Sequence, residues 1–337
     1  MNGMIEKLLS GDVLSEQEAK ELVLTMLNGT VSDEQIVSIL TILRYRGETV
    51  EEIVGFAKGM QEASIQIHPP FPVIDTCGTG GDGVGTFNIS TAAAILLSSL
   101  SVPVAKHGNR GVSSKTGSAD VLEYLDIPIQ TTEQAAVKSL ETYHLCFLFA
   151  PQYHSAMKHV GKARRGMGIK TIFNLLGPLT NPAGASTRLI GVYDDDIAKK
   201  MAAAAIALGI DRAMFVTGED GLDELTITGK TAVVEVKSGE LHEYELTPQE
   251  VGLPFGKLEP LLVASPEESA MMIEAVFQKK GPEEAENILL FNAGAALYLF
   301  GAVTSIAEGV HEAGKALGDP VMNQLHRLQT LNKGVIA

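Results

Sequence analysis

The chain has no tryptophan and only two cysteines in 337 residues, and aromatic residues make up 5% of it. Cys77 and Cys146 are too few for a disulfide framework or a zinc site. No run of about 18 apolar residues occurs, so no segment is expected to span a membrane. The N-terminal stretch MNGMIEKLLSGDVLSEQEAK lacks the apolar core of a secretory signal, and the expected location is a reducing cytoplasm. Positive charge is also scarce. Lys and Arg number 26 against 41 Asp and Glu, a formal net charge of −15. Such a chain repels nucleic acid and anionic lipid in bulk, so neither is an expected partner. Any anion it binds must meet a local positive cluster.

Hydrophobic residues at 45% and charged residues at 20% suffice for a substantial core and exclude a disordered chain. At about 150 residues per domain the length predicts two domains. The first 65 residues read as helices only. Ser15 with Glu18, Ser32 with Gln35 and Thr49 with Glu52 form capping boxes, each followed by apolar residues at helical spacing. Val31 and Ile36 are placed for a hydrophobic staple, and Gly29 and Gly47 fall where helices should end. His68-Pro69-Pro70-Phe71-Pro72 cannot be helix and reads as a stiff hinge.

Beyond it the texture alternates. Strands are expected at Val73–Ile74, Val102–Ala105, Leu189–Val192, Ala213–Val216 and Thr231–Val236. Helices are expected over Thr91–Leu100, Gly117–Leu125 and Ile197–Leu208, and a helix start at Ser265-Pro266 opens a helical C-terminal part. This alternation predicts an α/β fold with a central, mainly parallel sheet flanked by helices. From Thr131, where Gln134 completes another capping box, to about Lys170 the chain reads as helical again. The expected division is a small helical domain of residues 1–66 with about 131–170, a hinge at 67–72, and a large α/β domain of 73–130 with about 171–337.

Four segments carry chemistry. The first, DTCGTGGDGVGTFNIST from Asp75 to Thr91, follows a strand and precedes a helix. Five glycines between Gly78 and Gly85 remove the Cβ atoms that would keep a ligand off the backbone. Exposed N–H groups and a helix N-terminus there suit phosphate or pyrophosphate. The spacing does not fit the dinucleotide fingerprint G-x-G-x-x-G, and no G-K-[ST] is present. The second, KHGNRGVSSKTGSAD from Lys106 to Asp120, is the local cationic and hydroxyl-rich cluster that an acidic anion binder needs. The third, GEDGLDEL from Gly218, carries the adjacent carboxylates Asp223 and Glu224. Their residue types fit Mg²⁺ binding, acid–base catalysis or a solvated acidic turn. The fourth runs from Tyr153 through Arg165 to the NLLGPLTNP stretch ending at Pro182. On one helix His154 would share a face with Lys158, and Lys158 with Lys162, a basic and partly aromatic surface for a small aromatic or carboxylate ligand. His144 and His159 read equally well as packed or surface residues. No nucleophile arrangement is present, and Cys77 reads as a small apolar residue.

In this order the segments D-x-x-G-T-G-G-D, N-I-S-T, K-H-G-N-R-x-V-S-S, G-S-A-D, H-x-A-M with R-R, N-L-L-G-P-L-T-N-P and D-G-L-D-E resemble those of the anthranilate phosphoribosyltransferases of tryptophan biosynthesis, over essentially the whole chain. The resemblance implies transfer of a phosphoribosyl group from 5-phosphoribosyl 1-pyrophosphate to anthranilate with Mg²⁺, and a homodimer formed through the helical domains. It places the phosphoribosyl pyrophosphate site on Gly78, Gly81, Asp82, Thr86, Asn88, Ile89, Ser90, Thr91, Lys106, His107, Gly108, Asn109, Arg110, Gly111, Val112, Ser113, Ser114 and Ser118. It places Mg²⁺ on Ser90, Asp223 and Glu224. It places anthranilate on Gly78, Asn109 and Arg164, with His107, His154 and Gly177-Pro178 as pocket walls. Gly111 and Ser155 stand where many relatives carry Ala and Pro, and neither change touches a ligand-contacting polar group. The competing readings are a pyrimidine nucleoside phosphorylase of similar domain plan, a non-catalytic paralogue, and a purely dimeric interaction protein. The retained acidic pair and intact loops weigh against all three. No residue is assigned as nucleophile, general acid or general base.

Overall fold

A computed structural model describes residues 1–111, 116–129 and 132–334. The chain opens with four helices, α1 (Asn2–Leu9), α2 (Glu16–Leu27), α3 (Asp33–Arg46) and α4 (Val50–Glu62). The capping boxes at Ser15 and Thr49 are reciprocal, and the Ser32 hydroxyl accepts from the Gln35 N–H. Val31 and Ile36 are both buried, and Gly47 ends α3 with positive φ.

The remaining elements alternate around one sheet. They are β1 (Ile74–Gly78), α5 (Ile89–Ser99), β2 (Val104–Gly108), α6 (Ser118–Tyr124), α7 (Glu133–Tyr143), β3 (Leu145–Phe149), α8 (Ala150–Tyr153), α9 (Lys158–Met167), α10 (Ile172–Leu179), β4 (Thr187–Gly191), α11 (Asp195–Ala207), β5 (Arg212–Gly218), β6 (Thr231–Lys237) and β7 (Glu240–Leu246). The helices α12 (Pro266–Phe277), α13 (Glu283–Phe300), α14 (Ile306–Ala316) and α15 (Asp319–Gly334) follow. The sheet order is β3-β2-β1-β4-β5-β6-β7. β1 to β5 run parallel, and β6 and β7 add an antiparallel edge.

Side chains alternate across the sheet, so each strand feeds two cores. Ile74, Val104, Phe147, Leu189 and Met214 join α5 and the C-terminal helices on one face. Ile190, Phe215, Val234 and Val236 join α10, α11 and the N-terminal helices on the other. The N-terminal bundle therefore shares a continuous core with one face of the sheet, through α4 against α10 and α11.

The stretch from about 131 to 170 differs from its all-helical expectation. Leu145–Phe149 is a fully buried edge strand paired in register with β2, and α7 packs on it. Within it α9 packs against α2 and α3, contributing Val160 and Ala163 to their core, with Ala156 and Met157 at its margin. The run Leu-Cys-Phe-Leu-Phe is short and apolar throughout, a pattern that periodicity does not distinguish from buried helix. The cap of α7 is Thr132, whose hydroxyl accepts from the Ala135 N–H, and Thr131 lies outside the described residues. β7 also went unforeseen, because its mostly exposed, charged residues carry little strand signal. Two strands run later than expected. β1 and β2 extend into Asp75–Gly78 and Lys106–Gly108, so parts of both motif loops are strand.

Candidate active site

The carboxyl ends of β1, β2, β4 and β5 lie side by side, and the motif segments leave the sheet there. Such an edge is where open α/β sheets build ligand crevices. The glycine loop turns sharply, with positive φ at Gly80, Gly81, Gly83 and Gly85. Its Gly80 N–H donates to Asp223 Oδ2 at 2.9 Å. At the start of α5 the Ser90 N–H donates to Glu224 Oε1 at 3.1 Å. Two N–H groups expected to face a phosphate are thus given to the protein's own carboxylates. Gly78 is required by this approach, since a Cβ there would lie 2.5 Å from Asp223 Oδ2.

Lys106 is buried, and its Nζ donates to the Thr76 carbonyl at 2.6 Å and the Ser90 hydroxyl at 3.2 Å. Burial pushes its pKa down, opposed by the charges of Asp75 and Glu224. Asp223 and Glu224 show the reverse effect. Burial and then the neighbouring Asp82 raise Asp223 to about 7. Burial and then Asp223 raise Glu224 well above the usual carboxylate range. Two adjacent, half-buried carboxylates this reluctant to ionise are a donor set that a divalent cation would stabilise. The Ser90 hydroxyl beside Lys106 completes an all-oxygen arrangement suited to Mg²⁺, which retains water and phosphate ligands.

A second wall comes from the end of β2, the turn after α8, and helices α9 and α10. The buried His107 side chain bonds through Nδ1 to the Gly177 carbonyl at 3.1 Å, and His154 bonds to the Thr180 carbonyl. The two rings lie 5.1 Å apart between centroids. Burial lowers their pKa values to about 4 and about 3, so both are neutral. Each Nε2 is buried without a hydrogen-bond partner among the described residues. Arg164 sits with its guanidinium 5.1 Å from the centre of the Phe173 ring and makes no ion pair with a described residue. Burial lowers its pKa. A half-buried cation without a counter-ion, beside an aromatic ring and two neutral imidazoles, suits an aromatic carboxylate.

Two sequence-based expectations change. His154 and Lys158 do not share one helix, because the chain breaks between α8 and α9 at a 3-10 turn over Ser155–Met157. Arg110 is not a free cation in the second segment. It pairs with Asp120 and Glu123 at 2.9 and 2.6 Å and lies 5.8 Å from the Phe149 ring centre. Asp120 also accepts from the Gly111 and Gly117 N–H groups, which shapes the loop around Asn109 and Ser118. Val112, Ser113 and Ser114, with the cation Lys115, lie outside the described residues. Thr86 and Ile89 contribute backbone: Thr86 bridges to Leu262, and Ile89 is buried. Thr91 keeps a buried hydroxyl without a partner among the described residues.

A buried polar network, built from two motif residues (Asp75 and Asn181) and Arg188 outside them, holds the two walls together. Asp75 accepts from the His107 N–H at 3.2 Å and from Asn181 Nδ2 at 2.7 Å. Asn181 also donates to the Ala105 carbonyl, and Arg188 donates to the Pro178 carbonyl at 2.8 Å. Asp75 and Arg188 are register partners on β1 and β4. Their signal in the sequence is a charged residue inside an otherwise apolar strand.

Known proteins share this arrangement. Residues 3–64 match the helical bundle domain of a glycosyl transferase family, and residues 71–319 match its a/b domain. Anthranilate phosphoribosyltransferase of Shouchella clausii is 52% identical over 341 aligned residues, covering 99% of each chain. The chain belongs to the anthranilate phosphoribosyltransferase family. The crystal structure of that enzyme from Thermus thermophilus superposes with a TM-score of 0.92 at 38% identity, covering 98% of this chain and 99% of that one. Anthranilate phosphoribosyltransferase of Saccharomyces cerevisiae in complex with PRPP and Mg reaches a TM-score of 0.89 at 29% identity, covering 98% and 97%. The same yeast protein has also been solved with 4-fluoroanthranilate. Fold and family agree with the motif-based expectation.

Proposed function

We propose that the protein transfers the phosphoribosyl group of 5-phosphoribosyl 1-pyrophosphate to the amine of anthranilate, giving N-(5-phosphoribosyl)anthranilate and pyrophosphate in tryptophan biosynthesis. The observation that carries this reading is the convergence of the glycine loop, Lys106 and the Asp223–Glu224 pair at one sheet edge, in a chain whose Arg164 on α9 pairs with no described carboxylate. The sugar phosphate and pyrophosphate lie along Gly78, Gly81 and Asp82, the Asn88–Thr91 helix start, and the Lys106–Ser114 loop with Ser118. Ser90, Asp223 and Glu224 would hold Mg²⁺, which when bound would neutralise charge on the departing pyrophosphate.

The remaining work falls to the chain's own groups. Arg164 takes the anthranilate carboxylate, and Gly78, Asn109 and Pro178 bound its ring. His107 and His154, both neutral, wall the pocket. That amine is a weak base and loses its proton readily after attack, so no strong general base is required. The anomeric carbon gains positive character as pyrophosphate leaves, and excluding water protects it from hydrolysis.

Motion of the helical part about residues 67–72 would close the cleft. A homodimer through that part is supported by exposed Leu9, Val13 and Tyr45. Two free cysteines, and no helix among the described residues long and apolar enough to cross a membrane, support a cytoplasmic setting. Anthranilate fluorescence tests the function directly. A decay that requires protein, Mg²⁺ and the sugar pyrophosphate together is the expected result. No decay from folded protein overturns the reading.

A further inference from the structure

Asn88 stands at the N-cap of α5, where an Asn side chain ordinarily accepts a hydrogen bond from the first turn. It does not do so here. Its backbone N–H donates at 2.9 Å to the hydroxyl of Ser269, which lies 181 positions further along the chain on α12. That hydroxyl donates back to Asn88 Oδ1 at 2.8 Å. Ser269 is completely buried. The same stretch of α5's approach is fastened twice more. The Phe87 N–H donates to the Leu261 carbonyl at 2.9 Å, and the Val263 N–H donates to the Gly85 carbonyl at 3.0 Å.

The hydroxyl has one hydrogen, and Asn88 Oδ1 takes it. The amide is thereby fixed with its oxygen turned toward α12. Its Nδ2 has no partner among the described residues, so the NH₂ group is the end left to the cleft. An Asn amide presents either a donor or an acceptor depending on which way it is turned, and the two ends have nearly the same shape. Toward an anionic phosphate the donor end attracts and the acceptor end repels. We infer that Ser269 is a positioning residue for the sugar pyrophosphate: it fixes the polarity of the Asn88 amide so that Nδ2 donates to a phosphate oxygen. The inference rests on the phosphoribosyl reading of this loop. It is independent of which acceptor is used.

Ser269→Ala is expected to raise KM for 5-phosphoribosyl 1-pyrophosphate about tenfold, the size of one lost and misoriented hydrogen bond. KM for anthranilate should stay within about twofold. In an Asn88→Ala background the same substitution should change the sugar pyrophosphate KM by less than about twofold, because its target is gone. An unchanged KM in the single variant overturns the inference. So does a penalty that persists in the Asn88→Ala background, or an equal rise for both substrates. Should Ser269→Ala fail to fold, Ser269→Cys, with a weak thiol donor of similar volume, carries the same comparison. Thermal shifts with Mg²⁺ and 5-phosphoribosyl 1-pyrophosphate separate this inference from the proposed function. A wild-type shift without anthranilate consumption overturns the acceptor alone. Equal shifts in wild type and Ser269→Ala overturn the role of Ser269 alone.

Discussion

Gly78→Ala tests how tightly the acidic pair is seated against the glycine loop. The added Cβ would lie 2.5 Å from Asp223 Oδ2 and 3.1 Å from its Cγ, where ordinary contact begins at 3.4 Å. The carboxylate must therefore retreat by about 0.9 Å, the gap between the 2.5 Å approach and that contact distance. It has little room to do so. Oδ2 is also held by the Gly80 N–H at 2.9 Å, and the Asp223 main chain already rests on Gly191, whose own Cβ position it would overlap. Misplacing a group by about 1 Å at a reacting centre costs roughly a hundredfold in rate, or about 2.7 kcal/mol of transition-state stabilisation. The expected result is a hundredfold fall in kcat/KM by anthranilate fluorescence, with a higher Mg²⁺ concentration for half-maximal rate and a small loss of Tm. Gly166→Ala is the matched control. It meets nothing within 4 Å on the exposed side of α9 and should leave turnover unchanged. Wild-type turnover and Mg²⁺ dependence in Gly78→Ala would refute the placement of Asp223.

The remaining expectations concern charge. Asp223→Asn with Glu224→Gln should abolish Mg²⁺-dependent turnover while leaving the fold intact, since both carboxylates are neutralised more easily than usual by burial; retained activity would remove the metal from this pair. Arg164→Ala should raise KM for anthranilate about ten- to a hundredfold, the worth of one charge-assisted pair, with the sugar pyrophosphate KM unmoved; an unchanged anthranilate KM would move the carboxylate elsewhere. Both His107 and His154 have folded pKa values, about 4 and about 3, below the unfolded value of 6.5, so their contribution to stability is complete above pH 6.5 and is lost as pH falls through it. At pH 5 each should cost about 2 kcal/mol relative to neutral pH. Chemical denaturation at both pH values reads this directly, and His154→Gln should remove about half of the difference; an unaltered pH dependence would show that the ring is not buried neutral.

The ligand loops were legible because their chemistry is local. Gly80, Gly81, Gly83 and Gly85 lie within a few residues of one another, and all adopt the positive φ that only glycine takes without strain. The N-terminal caps were legible for the same reason, since a capping box spans four residues. β3 and β7 were not, for opposite reasons. Leu145–Phe149 is so evenly apolar that no periodicity marks it, and Glu240–Leu246 is so polar that only its pairing with β6 makes it a strand. Arg110 shows a further limit. Its cationic character could be read from the sequence, but its neutralisation by Glu123 depends on how α6 returns to the loop.

The residues that position the site are the least local of all. Asp75 and Asn181 are 106 positions apart, and Asn88 and Ser269 are 181 apart, yet each pair is within hydrogen-bond distance. A single sequence carries no periodic or spacing signal for such a pair, because the sheet order and the packing of α12 create it. Arg188 and Ser269 belong to no motif, and that has a physical counterpart in what they do. The loop residues offer groups to a ligand, and their types follow from phosphate and carboxylate chemistry. Asp75, Asn181, Arg188 and Ser269 offer groups only to the protein, and all four are buried. An isolated buried amide, hydroxyl or charge is costly unless its partner is fixed. Each of these residues therefore ties two segments of the cleft to one relative position. That rigidity at the sheet edge is what a reaction driven by positioning and charge requires.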